Sequence, residues 1–291
     1  MKVISTVREM QDFSLQMRKE GKKIGFVPTM GFLHEGHLSL VRKARQACEV
    51  VVVSIFVNPT QFAPNEDFTK YPRDEEKDKK LLLNEGVDCV FIPSAEEIYH
   101  KGFQTYVEVT GVTKGLEGQS RPAHFKGVTT VVSILFNSVM PHVAVFGQKD
   151  AQQASVIMRM VEDLKMNIRI IVSPIVREKD GLALSSRNIY LSDKERKDAL
   201  VLSSSLRFAG EMVSAGERNS EKIIQQMNLR FAEVDSASLD YIKIVDSKSF
   251  EEVSSLASGG VYYILIACRI GKTRLIDNLL VDVPFQEFTA P

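Results

Sequence analysis

Two histidines three residues apart, His34 and His37, lie in the run Pro28-Thr29-Met30-Gly31-Phe32-Leu33-His34-Glu35-Gly36-His37. Imidazoles donate and accept hydrogen bonds and titrate near neutrality, so a pair on one short turn suits phosphate contact or proton transfer. The apolar run Ile24-Gly25-Phe26-Val27 before them reads as a buried strand. Leu38-Ser39-Leu40-Val41-Arg42-Lys43-Ala44 after them reads as a helix start. A helix N-terminus gathers unpaired backbone N–H groups and a positive dipole end, which predicts an anion site. Gly36 between the rings lets a ligand approach the backbone closely. Zinc is the competing reading. The metalloprotease helix motif spaces its histidines four apart, with Glu after the first; here the spacing is three, and no convergent Cys or acidic set accompanies it.

Three further segments carry candidate chemistry. Phe56-Val57-Asn58-Pro59-Thr60-Gln61-Phe62 offers amide donors and acceptors from Asn58 and Gln61, suited to hydroxyls and a carboxylate; an ordinary Asn-Pro turn is the alternative. Phe146-Gly147-Gln148-Lys149-Asp150-Ala151-Gln152-Gln153 brings a glycine, a cation for phosphate and a carboxylate that reaches a ribose or caps a helix. Leu182-Ala183-Leu184-Ser185-Ser186-Arg187-Asn188 sets two hydroxyls and a guanidinium where two domains should meet. Such a set can hold a polyphosphate, and a loop there is placed to close over it and exclude water. Two decoys fall away. Ile270-Gly271-Lys272-Thr273 resembles the end of a P-loop, but the earlier glycine is replaced by Ile266. No Gly-x-Gly-x-x-Gly follows the first strand, which argues against a dinucleotide dehydrogenase.

The elements that must hold these segments alternate over residues 1–175. Strands are expected at Ile24 to Thr29, Val50 to Val57, Val87 to Ile92, Val143 to Phe146 and Ile168 to Val172. Helices are expected at His37 to Ala47, Arg73 to Glu85, Phe125 to Val139 and Asp150 to Leu164. Near-continuous apolar strands between helices predict an α/β fold: a Rossmann-like parallel sheet with helices on both faces, binding ligands outside the strands' carboxyl ends. Residues 176–291 read as a smaller C-terminal α+β domain. It has a long helix from Ser192 to Ala215, another from Ser220 to Val234, and antiparallel strands at Leu239 to Val245, Val261 to Arg269 and Thr273 to Leu280. Gly259-Gly260 and Gly271-Lys272 mark turns between them.

Composition sets limits. The 291 residues are 44% hydrophobic, with 37 basic and 37 acidic side chains, so nothing global favours nucleic acid or a membrane surface. No apolar run approaches the roughly 20 residues needed to span a bilayer, and Met1 to Glu20 reads as an amphipathic helix without a leader's apolar block. Cys48, Cys89 and Cys268 are far apart among apolar residues and read as buried thiols of a reducing cytosol, so a cytoplasmic location is expected.

Taken together, the segments resemble the pantoate–β-alanine ligase family, the AMP-forming pantothenate synthetases. The resemblance runs through Pro-Thr-Met-Gly-x-Leu-His-x-Gly-His, Phe-Val-Asn-Pro-x-Gln-Phe, Lys70-Tyr71-Pro72-Arg73, Arg121-Pro122-x-His124-Phe125, Phe-Gly-x-Lys-Asp-x-Gln-Gln and Ser-Ser-Arg-Asn. Leu184 stands where the family often has Met, a nearly volume-conserving difference. The resemblance implies ATP, pantoate and β-alanine as substrates, Mg²⁺ with the ATP, no tightly bound organic cofactor and a homodimer. It also implies residue roles. His34 and His37 contact the phosphates, His37 as the first choice for proton donor. Lys149 and Arg187 stabilise the leaving pyrophosphate with Ser185 and Ser186. The nucleotide site takes in Met30, Gly31, Phe32, Leu33, Glu35, Gly36, Gln148 and Leu184. Gly147 and Asp150 hold the ribose, and Val176 lies by the adenine. Gln61 and Gln153 bind pantoate, with Asn58 supporting Gln61. Tyr71 and His124 match family segments without an assigned step. Two rivals share the scaffold: an adenylyltransferase acting on a phosphate-bearing acceptor, and a catalytically silent nucleotide-binding module.

Overall fold

A computed structural model describes residues 1–63 and 68–285. The chain divides into two compact units, Met1–Val176 and Arg177–Pro291. The first is built on six parallel strands: β1 (Lys2–Ile4), β2 (Ile24–Thr29), β3 (Val50–Ile55), β4 (Cys89–Phe91), β5 (Val143–Gly147) and β6 (Arg169–Ser173). They lie in the order β1-β4-β3-β2-β5-β6. The chain steps outward from β2 through β3 to β4, then returns to the other side of β2 for β5 and β6. The strand order thus reverses between β2 and β5, which pair at Gly25↔Val143 and Phe26↔Ala144. In open parallel sheets that reversal opens the crevice where ligands bind.

Both sheet faces are covered, for a reason readable in the strands. Ile24, Phe26, Val50 and Val52 join one buried cluster with the helices Val7–Lys19, His124–Val139 and Ala151–Asp163. Val27, Val51 and Val53 join another with the helices Glu35–Ala47 and Glu75–Asn84. Alternate side chains point to opposite faces, so a continuous apolar strand needs a helical layer on each side. Each fully buried Val, Ile or Phe contributes about 1.5–3 kcal/mol relative to exposure. Gly25 lets Ala44 and Cys48 sit against β2, since a Cβ there would lie 3.2 Å from Cys48.

The second unit carries β7 (Ala237–Asp246), β8 (Val261–Ile270) and β9 (Thr273–Asp282) as an antiparallel sheet. The helices Leu200–Ser214 and Ser220–Ala232 share its apolar core. Gly271, at φ +56°, turns β8 into β9, so the P-loop-like Gly271-Lys272-Thr273 is a hairpin turn. The single helix expected from Ser192 to Ala215 is two, Asp193–Asp198 and Leu200–Ser214. The axis breaks at buried Ala199, where Leu202 N–H bonds back only three residues, to Ala199 O, at 3.2 Å. The helix expected over Met1 to Glu20 is confined to Val7–Lys19, and β1 precedes it, three residues long with only Ile4 buried.

One close packing contact bears on the site. The turn Pro59–Gln61 lies directly on helix His124–Val139, and a Cβ on Gly127 would fall 2.5 Å from Thr60 O. Backbone cannot yield as a flexible side chain does. Gly127→Ala is therefore expected to lower stability by about 1–3 kcal/mol in urea unfolding. A variant as stable as the parent would show that the turn has room to move.

Candidate active site

β2 ends at Thr29, whose hydroxyl donates to Ser54 O at 2.7 Å and accepts from Gly31 N–H at 3.2 Å. The chain then turns through left-handed backbone at Gly31 (φ +81°) and Phe32 (φ +51°). Asp78, from the helix Glu75–Asn84, accepts from Phe32 N–H and Leu33 N–H at 2.7 Å each. Both oxygens accept, the pattern of an ionised carboxylate. Burial pushes the Asp78 carboxyl above the usual range, and the bonds from Leu33 and Phe32 pull it back.

His34 is the N-cap of the helix Glu35–Ala47, and its Nδ1 accepts from Gly36 N–H at 3.2 Å. His37, three residues on, returns the bond: its Nδ1 accepts from His34 N–H at 3.3 Å. This is a capping box made of two imidazoles. The rings lie 4.1 Å apart, tilted by 42°. Most backbone N–H groups of this turn are engaged within the protein. The donors of Phe32, Leu33, His34, Gly36 and His37 are already taken, the last by His34 O at 2.8 Å. The Nε2 edge of each ring is not used by these bonds. An Nδ1 that accepts carries no proton, so a neutral ring keeps its proton on Nε2.

Charge state follows from the same contacts. Burial, then the Lys149 ammonium, lowers His34 to about 4, with Asp150 opposing. Burial, then His34, then Lys149, lowers His37 to about 3. Lys149 and Asp150 follow β5, across the strand reversal, and their side chains approach at 3.8 Å. The structure thus brings His34, His37, Lys149 and Asp150 together. At neutral pH both imidazoles are uncharged hydrogen-bond donors beside one ammonium. In the free protein an uncharged His37 donates a hydrogen bond through Nε2. Glu35 turns outward to Arg42, which also bonds Glu85 at 2.9 Å. A Cβ at Gly147 would meet nothing within 4 Å, leaving open space over the backbone at the end of β5.

The Asn58 segment separates into a hub and a presented group. Asn58 is 1% exposed. Its Nδ2 donates to Gln61 Oε1 at 3.1 Å and Gly127 O at 3.2 Å; its Oδ1 accepts from Tyr99 OH at 2.7 Å and Thr60 Oγ1 at 3.0 Å. Its polar atoms are spent internally, so it supports Gln61 and does not itself face a ligand. Gln61 Nε2 lies 3.1 Å from Met30 Sδ, joining the ends of β3 and β2. His124 and Arg121, given no step from sequence, hold the Gln61 carbonyl at 2.9 and 3.3 Å. Tyr71 is buried, its ring 6.1 Å from Phe62. Of the two neighbouring glutamines, buried Gln152 clamps Val112 O (2.8 Å), Gly115 O (3.0 Å) and Glu117 N–H (2.9 Å), whereas Gln153 is half-buried.

Val176 closes the first unit, half-buried. Leu184, Ser185, Ser186 and Arg187 belong to the second. Ser185 Oγ accepts from Arg187 N–H at 3.2 Å and caps the short turn Ser186–Tyr190. The segment before it is anchored by Arg177, which forks onto Asp277 at 2.6 and 2.9 Å and pairs with Ala183 in an isolated antiparallel bridge. Asn188 Nδ2 donates to Ala183 O at 3.1 Å. Among the described residues, no three His, Cys, Asp or Glu side chains group as a metal site, and no helix is long and apolar enough to cross a membrane.

A family model described as pantoate–β-alanine ligase matches residues 2–280. The chain belongs to that family. It is 55% identical over 281 residues to a pantothenate synthetase of Thermotoga petrophila, covering 97% of this chain and 100% of that one. A pantothenate synthetase of Heliobacterium modesticaldum is 54% identical over 283 residues, with the same coverage. Among solved structures, the pantothenate synthetase of Thermus thermophilus superposes with a TM-score of 0.90 at 44% identity, over 96% of this chain and 99% of that chain. The pantoate–β-alanine ligase of Francisella tularensis, solved with "Beta-gamma ATP" and β-alanine, gives 0.78 at 37% identity, over 96% and 97%.

The imidazole chemistry is open to direct measurement. Nuclear magnetic resonance titration of the free protein should show no midpoint near 6.5 for His34 or His37, and values near 4 and 3 instead. A midpoint near 6.5 for either ring would overturn the capping argument. The sign of the linked stability follows: an unfolded chain binds more protons below 6.5, so the pair's contribution is full above that pH and is lost as pH falls through the folded values.

Proposed function

We propose that this chain condenses (R)-pantoate with β-alanine in two steps at one nucleotide site. The pantoate carboxylate attacks the α-phosphorus of ATP; an oxygen–phosphorus bond forms and pyrophosphate leaves. The β-alanine amine then attacks the acyl carbon of pantoyl adenylate, and AMP leaves with the amide formed. A free carboxylate acylates an amine too slowly to be useful, and adenylation supplies the leaving group. The observation that carries the reading is the grouping of His34, His37 and Lys149 at the β2/β5 reversal, in a chain that matches the ligase family almost end to end.

Roles follow from the chemistry of each group. The Nε2–H edges of His34 and His37 donate to phosphoryl oxygens as negative charge shifts toward the leaving group, and Lys149 neutralises that charge. Ser185, Ser186 and Arg187 are assigned to the pyrophosphate on their donors alone, a fork and two hydroxyls. Gly147 and Asp150 take the ribose, with Gln148 and Leu184 as neighbours of the nucleotide and Val176 by the adenine. Gln61 and Gln153 take pantoate, with Met30 and Gly31 shaping the floor. Mg²⁺ enters as part of the ATP substrate, held by phosphate and water. A cytoplasmic homodimer completes the reading; the buried free thiols of Cys48, Cys89 and Cys268 suit a reducing compartment.

The rival adenylyltransferase needs extra cations for a phosphate-bearing acceptor. The uncharged amides of Gln61 and Gln153 suit a hydroxylated carboxylate instead. Incubation with ATP, Mg²⁺, pantoate and β-alanine should yield AMP and pantothenate by mass spectrometry, and ATP–pyrophosphate exchange should need pantoate but not β-alanine. Exchange without pantoate would favour the rival. Lys149→Ala should slow exchange by roughly 10²-fold or more; an unchanged rate would remove Lys149 from the phosphate.

A further inference from the structure

Phe32 and Leu33 directly precede His34, and Phe32 holds a left-handed backbone (φ +51°) that a bulky side chain rarely adopts. Asp78 holds them there. Its carboxylate is 1% exposed, and it reaches across from another helix to accept both backbone N–H groups at 2.7 Å. The loop leaves it little freedom, since a Cβ on Gly31 would sit 3.1 Å from Asp78 Oδ2 and 3.0 Å from Ile55. Lys77, its chain neighbour, lies over the Phe32 ring at 5.5 Å. Successive N–H groups in such a turn form a concave anion site. Left open beside the two imidazoles, that concavity would itself capture a phosphate oxygen. Filled by an internal carboxylate, it is both occupied and repulsive to phosphate.

We propose that Asp78 is a positioning residue for adenylation: it occupies the two backbone donors before His34, fixes the 31–33 turn, and leaves the imidazole Nε2 edges and Lys149 among the donors a triphosphate meets. The inference rests on the adenylating reading above. Asp78 touches no substrate and acts through the turn it holds. A displacement of that turn by a fraction of an ångström moves both rings, because His34 and His37 cap one another.

Asp78→Asn tests it, since the isosteric amide turns one acceptor into a donor facing a donor. Pantoate-dependent ATP–pyrophosphate exchange should lose about 10-fold or more in kcat, with kcat/KM for ATP falling in step. The imidazole nitrogen shifts of His34 and His37 should leave the pattern of an Nε2–H tautomer. Asp74→Ala serves as the control, because it removes the N-cap bond to Lys77 N–H of the same helix and leaves Asp78 in place. It should lower the melting temperature by a few degrees while kcat stays unchanged. Parental kcat in Asp78→Asn, or equal kcat losses in the two variants, overturns the proposal. Should Asp78→Asn not fold, the unsubstituted protein decides. The Phe32 and Leu33 amide signals should hold their positions when a non-hydrolysable ATP analogue binds; large downfield moves would mean that phosphate takes those donors, and the proposal fails. Absence of pantoate-dependent exchange in the parent faults the functional reading instead, and the amide response still decides the role of Asp78.

Discussion

The reciprocal hydrogen bonds between two histidines and one helix start are the constraint on which the first unit's chemistry depends. Each Nδ1 is committed to a backbone N–H, so each proton stays on Nε2. Protonating either ring would set a donor against a donor, in a place where burial and Lys149 already resist positive charge. The helix gains its cap, and the end of β2 gains two fixed, uncharged donors, from the same two bonds. The three-residue spacing of His34 and His37 is therefore the spacing of a capping box.

Around that pair the sheet sets position and buried amides set orientation. The strand order reverses between β2 and β5, bringing the turn after Thr29 and the turn after Gly147 to neighbouring strand ends. On the β3 side, Asn58 gathers Gln61, Thr60, Tyr99 and the Gly127 carbonyl, while Arg121 and His124 hold the Gln61 backbone. The polar chemistry of this unit rests on short-range networks whose members are separated by tens of residues in sequence. Such networks are costly to leave half-satisfied, which gives the Gln61 amide a defined direction.

Much of this was legible in the sequence. β-branched runs at Val50–Ile55 and Ile24–Thr29 announced strands buried on both faces, and the polar segments after them held the site candidates. The division between chemistry and support was not legible. Asn58 and Gln61 are amides of one motif, as are Gln152 and Gln153, yet one of each pair is spent on the fold. Asp78 sat unnoticed in a charged helix, since nothing in Glu-Glu-Lys-Asp-Lys-Lys reveals that one carboxylate turns inward to a partner more than forty residues away. The break at Ala199 escaped because alanine is a good helix former, and the local pattern there continues unbroken.

Under the ligase reading proposed above, a cap that is also a ligand edge changes how genetics at this site would read. Loss of growth from a change at position 34 has two unrelated origins, a frayed helix and a missing donor. A suppressor that merely stiffens Glu35–Ala47 would then restore part of the phenotype without touching the reaction, and would be mistaken for a catalytic partner. Asparagine at position 34 separates the two effects, because it caps well and reaches less far.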